Sequence, residues 1–275
     1  MKEYTSHDIE DSLKKLNIKK NDNLFIHSNL TLFGNCKSIN SIYDLPKIWT
    51  EQIFKIVGKN STIIFPLFTL SSCKKEIFDP INSKSNCGIL NEFLFKNYNC
   101  IRTNDPIYSF GIIGKKNKQI NKLIDVKNSF SNNSIFAYIK NNNFKILCLN
   151  HNGTTFLHYI ERELNVNYRF DKEFEGKIKI RGKIKKVKSK IYVAYKSDNK
   201  IQHCPKKFSL EGRNKKVIHS TTLGSGNIDV MSSKKIYNFV KEKIKKNHYY
   251  LTKNSNKKNH KANILREKEF ESFNN

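Results

Sequence analysis

The chain has 275 residues, enough for one large domain or two small ones, and its 51 basic and 24 acidic side chains give a net charge of +27. With 37% hydrophobic and 12% aromatic residues, the composition is lean but globular and argues against intrinsic disorder. The longest apolar run, Ile63 to Leu70, falls far short of the roughly 18 residues of a membrane span, and the mixed charge pattern from Lys2 to Leu16 is not that of a signal peptide.

In chain order, the first expected element is a helix with Ser6 as its N-cap. Ile9, Leu13 and Leu16 recur at i, i+4 and i+7, and Asn17 stands where a C-cap would. Leu24-Phe25-Ile26 reads as a buried strand ending at His27-Ser28. A second helix is expected over 45–57, with Pro46 tolerated in its first turn and Gly58 ending it. Thr62 to Phe65 is another buried strand, closed by Pro66, and a helix follows at 88–96. Ile107 to Ile113 is strand-like, 116–124 and the segment from Ser134 to Ile139 are helical, and Phe144 to Leu149 is a further buried strand. Short apolar strands alternating with helices predict an α/β domain with a central mixed, partly parallel sheet flanked by helices. Next, Lys177-Ile178-Lys179-Ile180 alternates strictly, Arg181-Gly182 supplies a turn, and Lys183 to Tyr195 returns. That pattern is a β-hairpin with lysines on a solvated face. A last helix is expected at 233–246, behind Ser232-Ser233. Residues 1–249 are thus expected to form one domain, and 250–275 a basic, disordered tail.

The makeup of the charge tempers its meaning. The basic residues are 45 Lys and only 6 Arg, beside 36 Asn and 33 Ile, all three abundant types sharing A/T-rich codons. Base readout and bidentate phosphate contacts favour Arg, so no specific nucleic-acid partner is expected. Residues 1–150 carry +9 and 151–275 carry +18, and the lysines of the hairpin and tail are expected to be dispensable. Six cysteines are scattered without CxxC or paired His spacing. They read as free thiols in a reducing cytoplasm, with no zinc site, other metal or disulfide framework expected.

The segment Asn150 to Glu161 carries the most chemistry. A strand ends at Leu149, a glycine loop follows, and Thr154 can open a helix. Thr154 and His158 are then at i, i+4, and His158 and Glu161 at i, i+3, on one face near the strand's carboxyl end. Open α/β sheets bind ligands there. A carboxylate one turn from an imidazole orients it and raises its basicity, and Thr154 offers a hydroxyl and an N–H to a developing anion. On spacing alone, a histidine between Phe156 and Tyr159 reads more readily as a hydrogen-bonded core residue. His27-Ser28-Asn29 ends a strand in polar groups suited to hold an extended ligand by its amides, and Asp105-Pro106 by itself marks a turn. No GxGxxG, GxSxG or P-loop pattern is present, so dinucleotide, esterase and P-loop chemistries are unsupported.

Seven blocks taken together resemble the aminoglycoside 3-N-acetyltransferases, particularly the branch encoded with surface-polysaccharide genes. In order they are Phe25 to Leu30, Ile64 to Thr69, Phe78-Asp79-Pro80 with Gly88 to Phe93, and Arg102 through Phe110. Phe130 to Phe136, Thr154 to Glu161, and Tyr168 to Gly176 complete the set, and the resemblance covers about residues 5–247. It implies the fold peculiar to that family, distinct from the GNAT superfamily, and acyl transfer from acetyl-CoA to an amine without a metal. By this resemblance His158 is the general base, Glu161 its orienting partner and Thr154 an oxyanion stabiliser. Ser28, Asn29, Thr69, Ser109 and Phe110 line the pantetheine tunnel, and Asp105 and Asp79 contact the acceptor. Drug-modifying members usually have His-Pro in place of Asp105-Pro106 and Pro-Thr in place of Pro66-Leu67. These departures favour a nucleotide-linked amino sugar over an antibiotic as acceptor. Two other classes stay open: a nucleic-acid-binding protein, and a catalytically degenerate binding protein. For the transferase itself, a homo-oligomer is left open.

Overall fold

In the computed structural model, which describes residues 2–151, 153–194 and 203–253, the apolar runs form the middle of a seven-stranded sheet. A short parallel ladder joins β1 (Glu3–Tyr4) to β3 (Asn35–Cys36) beside it. At the centre of the large sheet lie β2 (Leu24–Ser28), β4 (Ile63–Pro66) and β8 (Lys145–Leu149), parallel to one another with β2 in the middle. Antiparallel strands extend both edges: β7 (Phe110–Ile113) and β6 (Cys100–Arg102) beyond β4, β12 (Gly226–Ser232) and β11 (Ile218–Leu223) beyond β8.

Side chains alternate across a strand, and here both faces are buried. Leu24, Ile26, Leu147 and Leu149 face one core with Trp49, while Phe25, Ile146 and Cys148 face the other with Phe136 and Phe156. The first core is covered by α1 (Ser6–Lys15), α2 (Leu45–Val57) and α3 (Ile89–Asn97). On the other face, α4 (Asn117–Leu123) contributes Ile120 to the second core. The second core is covered by α5 (Ile135–Asn141), α6 (Phe156–Glu163), α7 (Pro205–Asn214) and α8 (Ser233–Lys246). Each fully buried Leu, Ile or Phe contributes about 1.5–3 kcal/mol. No helix among the described residues is long and apolar enough to cross a membrane.

Several local expectations shift. Thr5, not Ser6, caps α1, because Asp8 stands three residues beyond it and completes a capping box. Only Phe110–Ile113 of the strand-like 107–113 run pairs, because the Asp105 carboxylate takes the N–H groups of Ile107 and Tyr108. Strands β1, β3, β5 (Ile77–Phe78), β6, β11 and β12 and helix α7 have no counterpart among the expected elements; α7 buries only Phe208 and Gly212, too little to show a period.

The hairpin is longer than its alternation suggested. β9 (Arg169–Ile180) and β10 (Lys183–Ala194) pair in full register, Ile180 opposite Lys183, with Arg181 and Gly182 both left-handed as a two-residue hairpin turn requires. β5 (Ile77–Phe78) adds to β9 in parallel. Tyr195 lies outside the described residues. Packed chain continues past 249, since Tyr250, Leu251 and Thr252 are buried; the expected tail from 254 onward lies outside the described residues.

Candidate active site

α6 starts beyond the carboxyl end of β8, after a turn in which Asn150 and Gly153 take left-handed backbone angles. Phe156, Leu157, Tyr159 and Ile160 are buried in the second core and fix the helix's rotation. His158 is left partly open, its side chain 18% exposed, while Glu161 is fully buried. His158 Nδ1 donates to Glu161 Oε2 at 2.6 Å. The other carboxylate oxygen accepts the Tyr168 hydroxyl at 2.7 Å, and Nε of Arg169 stands 3.0 Å from Oε2. The early start of β9 brings both residues there.

Burial alone would raise the Glu161 carboxyl, but the Arg169 charge and the His158 hydrogen bond outweigh it and hold it at about 2. His158 is pulled below the ordinary imidazole value by burial and by Arg169, against the opposing pull of Glu161. The ring is therefore neutral at neutral pH. With Nδ1–H held on the carboxylate, Nε2 carries the free lone pair, the arrangement a general base needs.

The Thr154 side chain turns inward: its hydroxyl is 2.9 Å from Nε2 of His27 and accepts the N–H of Phe156. Burial first, and then His151, keep His27 well below the usual imidazole value. Thr155, the neighbour of Thr154, is half-buried: it lines a cleft of about 480 Å³, and its Oγ1 is buried without a hydrogen-bond partner. Ser28 and Asn29 line the same cleft with Phe68, Asn91 and His151. The Asn29 N–H bonds Leu149 O at 2.8 Å, tying together the ends of β2 and β8 where the cleft opens. His158 lies one helical turn beyond Thr155 and outside the cleft's lining.

The remaining expected residues lie elsewhere. Thr69 bonds Pro106 O and Ser71, Ser109 is fully buried between Arg102 and Leu67 O, and Phe110 sits in the second core. None of the three lines the cleft. Asp105 is buried, accepts Ser129 Oγ at 2.6 Å and the two N–H groups of its own turn, and burial raises it to about 6. Asp79 similarly organises its loop through Ile81 N, Asn82 N and Asn82 Nδ2. Tyr168, Arg169, Thr155, His27 and His203 were not singled out as catalytic. A buried Glu161 demands a buried cation, and that requirement could have pointed to Arg169.

Among the described residues, His158, Glu161 and His203 offer donor atoms within 4.8 Å of one another. Both oxygens of Glu161 are already engaged by Tyr168, His158 and the Arg169 guanidinium, and a metal ion would meet that guanidinium. The donor set suits a charge-balanced hydrogen-bond network better than a cation.

The sequence model of a family described as aminoglycoside 3-N-acetyltransferase matches residues 25–245. Among solved structures, AAC-IIIb in a binary complex with CoASH superposes with a TM-score of 0.74 at 16% identity, covering 89% of this chain and 97% of that one. Sisomicin-bound AAC-VIa gives 0.73 at 16% identity, with 87% and 97% covered. The YokD protein from Bacillus subtilis gives 0.70 at 16% identity, with 88% and 93% covered. At such identities these likenesses bear on the fold, which is the expected α/β arrangement with a mixed central sheet. A search of curated protein sequences gives no match. With a family match that spans most of its length, the chain belongs to the aminoglycoside 3-N-acetyltransferase family.

Proposed function

We propose that the protein transfers an acetyl group from acetyl-CoA to a primary amine of an amino sugar, with a nucleotide-linked sugar as the favoured acceptor. The observation that carries this reading is the His158–Glu161 pair, held at 2.6 Å and charge-balanced by Arg169. The amine nitrogen attacks the thioester carbon as His158 Nε2 takes its proton. A C–N bond forms, the tetrahedral oxyanion collapses, the C–S bond breaks, and the proton passes from His158 to the departing thiolate. General-base help of this kind is worth roughly 10²–10⁴-fold.

Thr155 takes the oxyanion role that spacing assigned to Thr154, because the residue lines the cleft and its buried hydroxyl has no other hydrogen-bond partner. Thr154, tied to His27, holds the turn that presents it. Ser28 and Asn29 would run along the pantetheine, with Thr69, Ser109 and Phe110 acting from outside the cleft's lining. Asp105 and Asp79 would act on the acceptor side through the loops they order. Two features support a nucleotide-linked acceptor: Asp105-Pro106 together with the Tyr168–Gly176 block, and the +27 charge, which concentrates polyanionic ligands.

The test is thiol release from acetyl-CoA with two acceptors, a UDP-linked amino sugar and sisomicin. His158→Ala should abolish transfer to either and leave CoA binding intact. Retained turnover in that variant removes the assignment, and a wild type that turns over only sisomicin removes the sugar-nucleotide preference.

A further inference from the structure

His203 stands beside the reactive imidazole, although nothing in its sequence surroundings marks it. Its backbone forms an antiparallel bridge with Thr252, and the N–H of Cys204 donates to Leu251 O at 2.8 Å. The buried stretch from Tyr250 to Thr252 therefore holds it in place. The His203 ring meets the His158 ring edge to face, centroids 4.7 Å apart and planes at 64°. Its Nδ1 is buried and has no hydrogen-bond partner among the described residues.

An unpaired buried polar atom costs about 1–3 kcal/mol, and such atoms gather where a protein binds or reacts with something. Thr155 Oγ1 and His203 Nδ1 are two of them, and His158 links them: it follows Thr155 by one helical turn and touches the His203 ring. Thr155 faces the cleft, whereas His203 does not line it. The two orphaned atoms therefore mark different sides of the base.

We propose that His203 binds the acceptor, its Nδ1 accepting a hydrogen bond from the amine that His158 deprotonates; this rests on the transferase reading above. A primary amine brings two N–H bonds. His158 takes one proton as the C–N bond forms, and the other N–H needs an acceptor. A neutral imidazole supplies one without placing a second positive charge beside the imidazolium that His158 becomes. Burial, with His158 and Arg169 adding to it and Glu161 opposing, holds the His203 ring down to about 3, so it remains an acceptor throughout the working range. The ligand class that can use this atom is an N–H or O–H donor, which separates amino sugars from acceptors lacking one.

The deciding measurement is steady-state kinetics of His203→Ala and His203→Asn with both acceptors. His203→Ala should raise the acceptor KM at least tenfold and leave the acetyl-CoA KM within twofold. His203→Asn, whose carbonyl oxygen can accept the same hydrogen bond, should recover most of that loss. An unchanged acceptor KM overturns the proposal, as does an equal rise in both KM values that His203→Asn shares along with a lowered Tm. Binding is read independently of turnover by titrating histidine-15N-labelled wild type to saturation with each acceptor, the UDP-linked amino sugar and sisomicin, in the absence of acetyl-CoA. A shift of the His203 Nδ1 resonance with either, assigned through His203→Asn, supports the contact, and a resonance unmoved by both overturns it. A shift without any transfer by the wild type would remove the transferase reading and leave the acceptor contact standing.

Discussion

Nδ1 of His158 lies 2.6 Å from Oε2 of Glu161, one helical turn away, and that same oxygen is 3.0 Å from Nε of Arg169. One carboxylate thus orients the imidazole and neutralises a buried guanidinium. Glu161→Gln keeps the shape and removes the charge, so it should lose both functions. We expect transfer to fall about 10²-fold or more and stability to fall by about 3–5 kcal/mol, since Arg169 is left buried without a counter-charge. Thiol-release kinetics and denaturant unfolding check the two losses. A variant with wild-type values in both would contradict the arrangement.

The pH dependence follows from three neutral imidazoles, His27 buried and His158 and His203 partly so. His158, His27 and His203 all lie below the ordinary value of 6.5, burial being the leading cause in each. In the unfolded chain these rings take up protons as pH falls through about 6.5, whereas in the folded chain they do not. The unfolded state then binds more protons, so stability is full above about pH 6.5 and declines below it. Glu161, depressed to about 2, adds a further loss between about pH 4.5 and 2. For activity, the free base persists below pH 6.5, so the acid limb of kcat/KM should lie under that value. Unfolding curves from pH 8 to 4 and a pH–rate profile test this. An acid limb centred above 6.5 would contradict it.

Thr154 and Thr155 should respond in opposite ways. Thr155→Ala removes a hydroxyl with no internal partner, so the fold should keep its Tm while kcat drops roughly 10²–10³-fold. Thr154→Val breaks the bond to His27 and strands the Phe156 N–H, costing about 1–3 kcal/mol. Thermal melts and kcat for the two variants, measured side by side, separate the roles. Loss of kcat at constant Tm in Thr154→Val would reverse them.

At the hairpin tip, Lys183 pairs across from Ile180 and Lys185 from Ile178, and both lysines are exposed. Reversing their charge together, Lys183→Glu with Lys185→Glu, should alter acetyl transfer less than about twofold, since solvated charges of this kind are weakly coupled to a distant site. A loss beyond about tenfold would give these lysines a part in binding anionic ligands.

Much of the framework was legible because it depends on local periodicity. Leu24 to Ile26, Ile63 to Phe65 and Phe144 to Leu149 are apolar on both faces, which is what a parallel strand covered by helices on each side requires. Trp49 and Ile53 on α2, and the Ser232 cap of α8, likewise follow from one-turn spacing. The edge strand β11, with only Ile218 and Leu223 buried, carries too little of that signal to be read.

The amino-acid sequence by itself determined that His158 and Glu161 meet, because residues three apart on a helix share a face whatever the rest of the chain does. Tertiary structure decided everything that reaches this pair from other elements. Arg169 and Tyr168 arrive with β9, His203 arrives with the chain clamped by Thr252, and His27 claims Thr154 from β2. Which of two adjacent threonines faces the cleft depends on the rotation of α6. That rotation is set by long-range burial of Phe156, Leu157 and Ile160, and no local spacing records it.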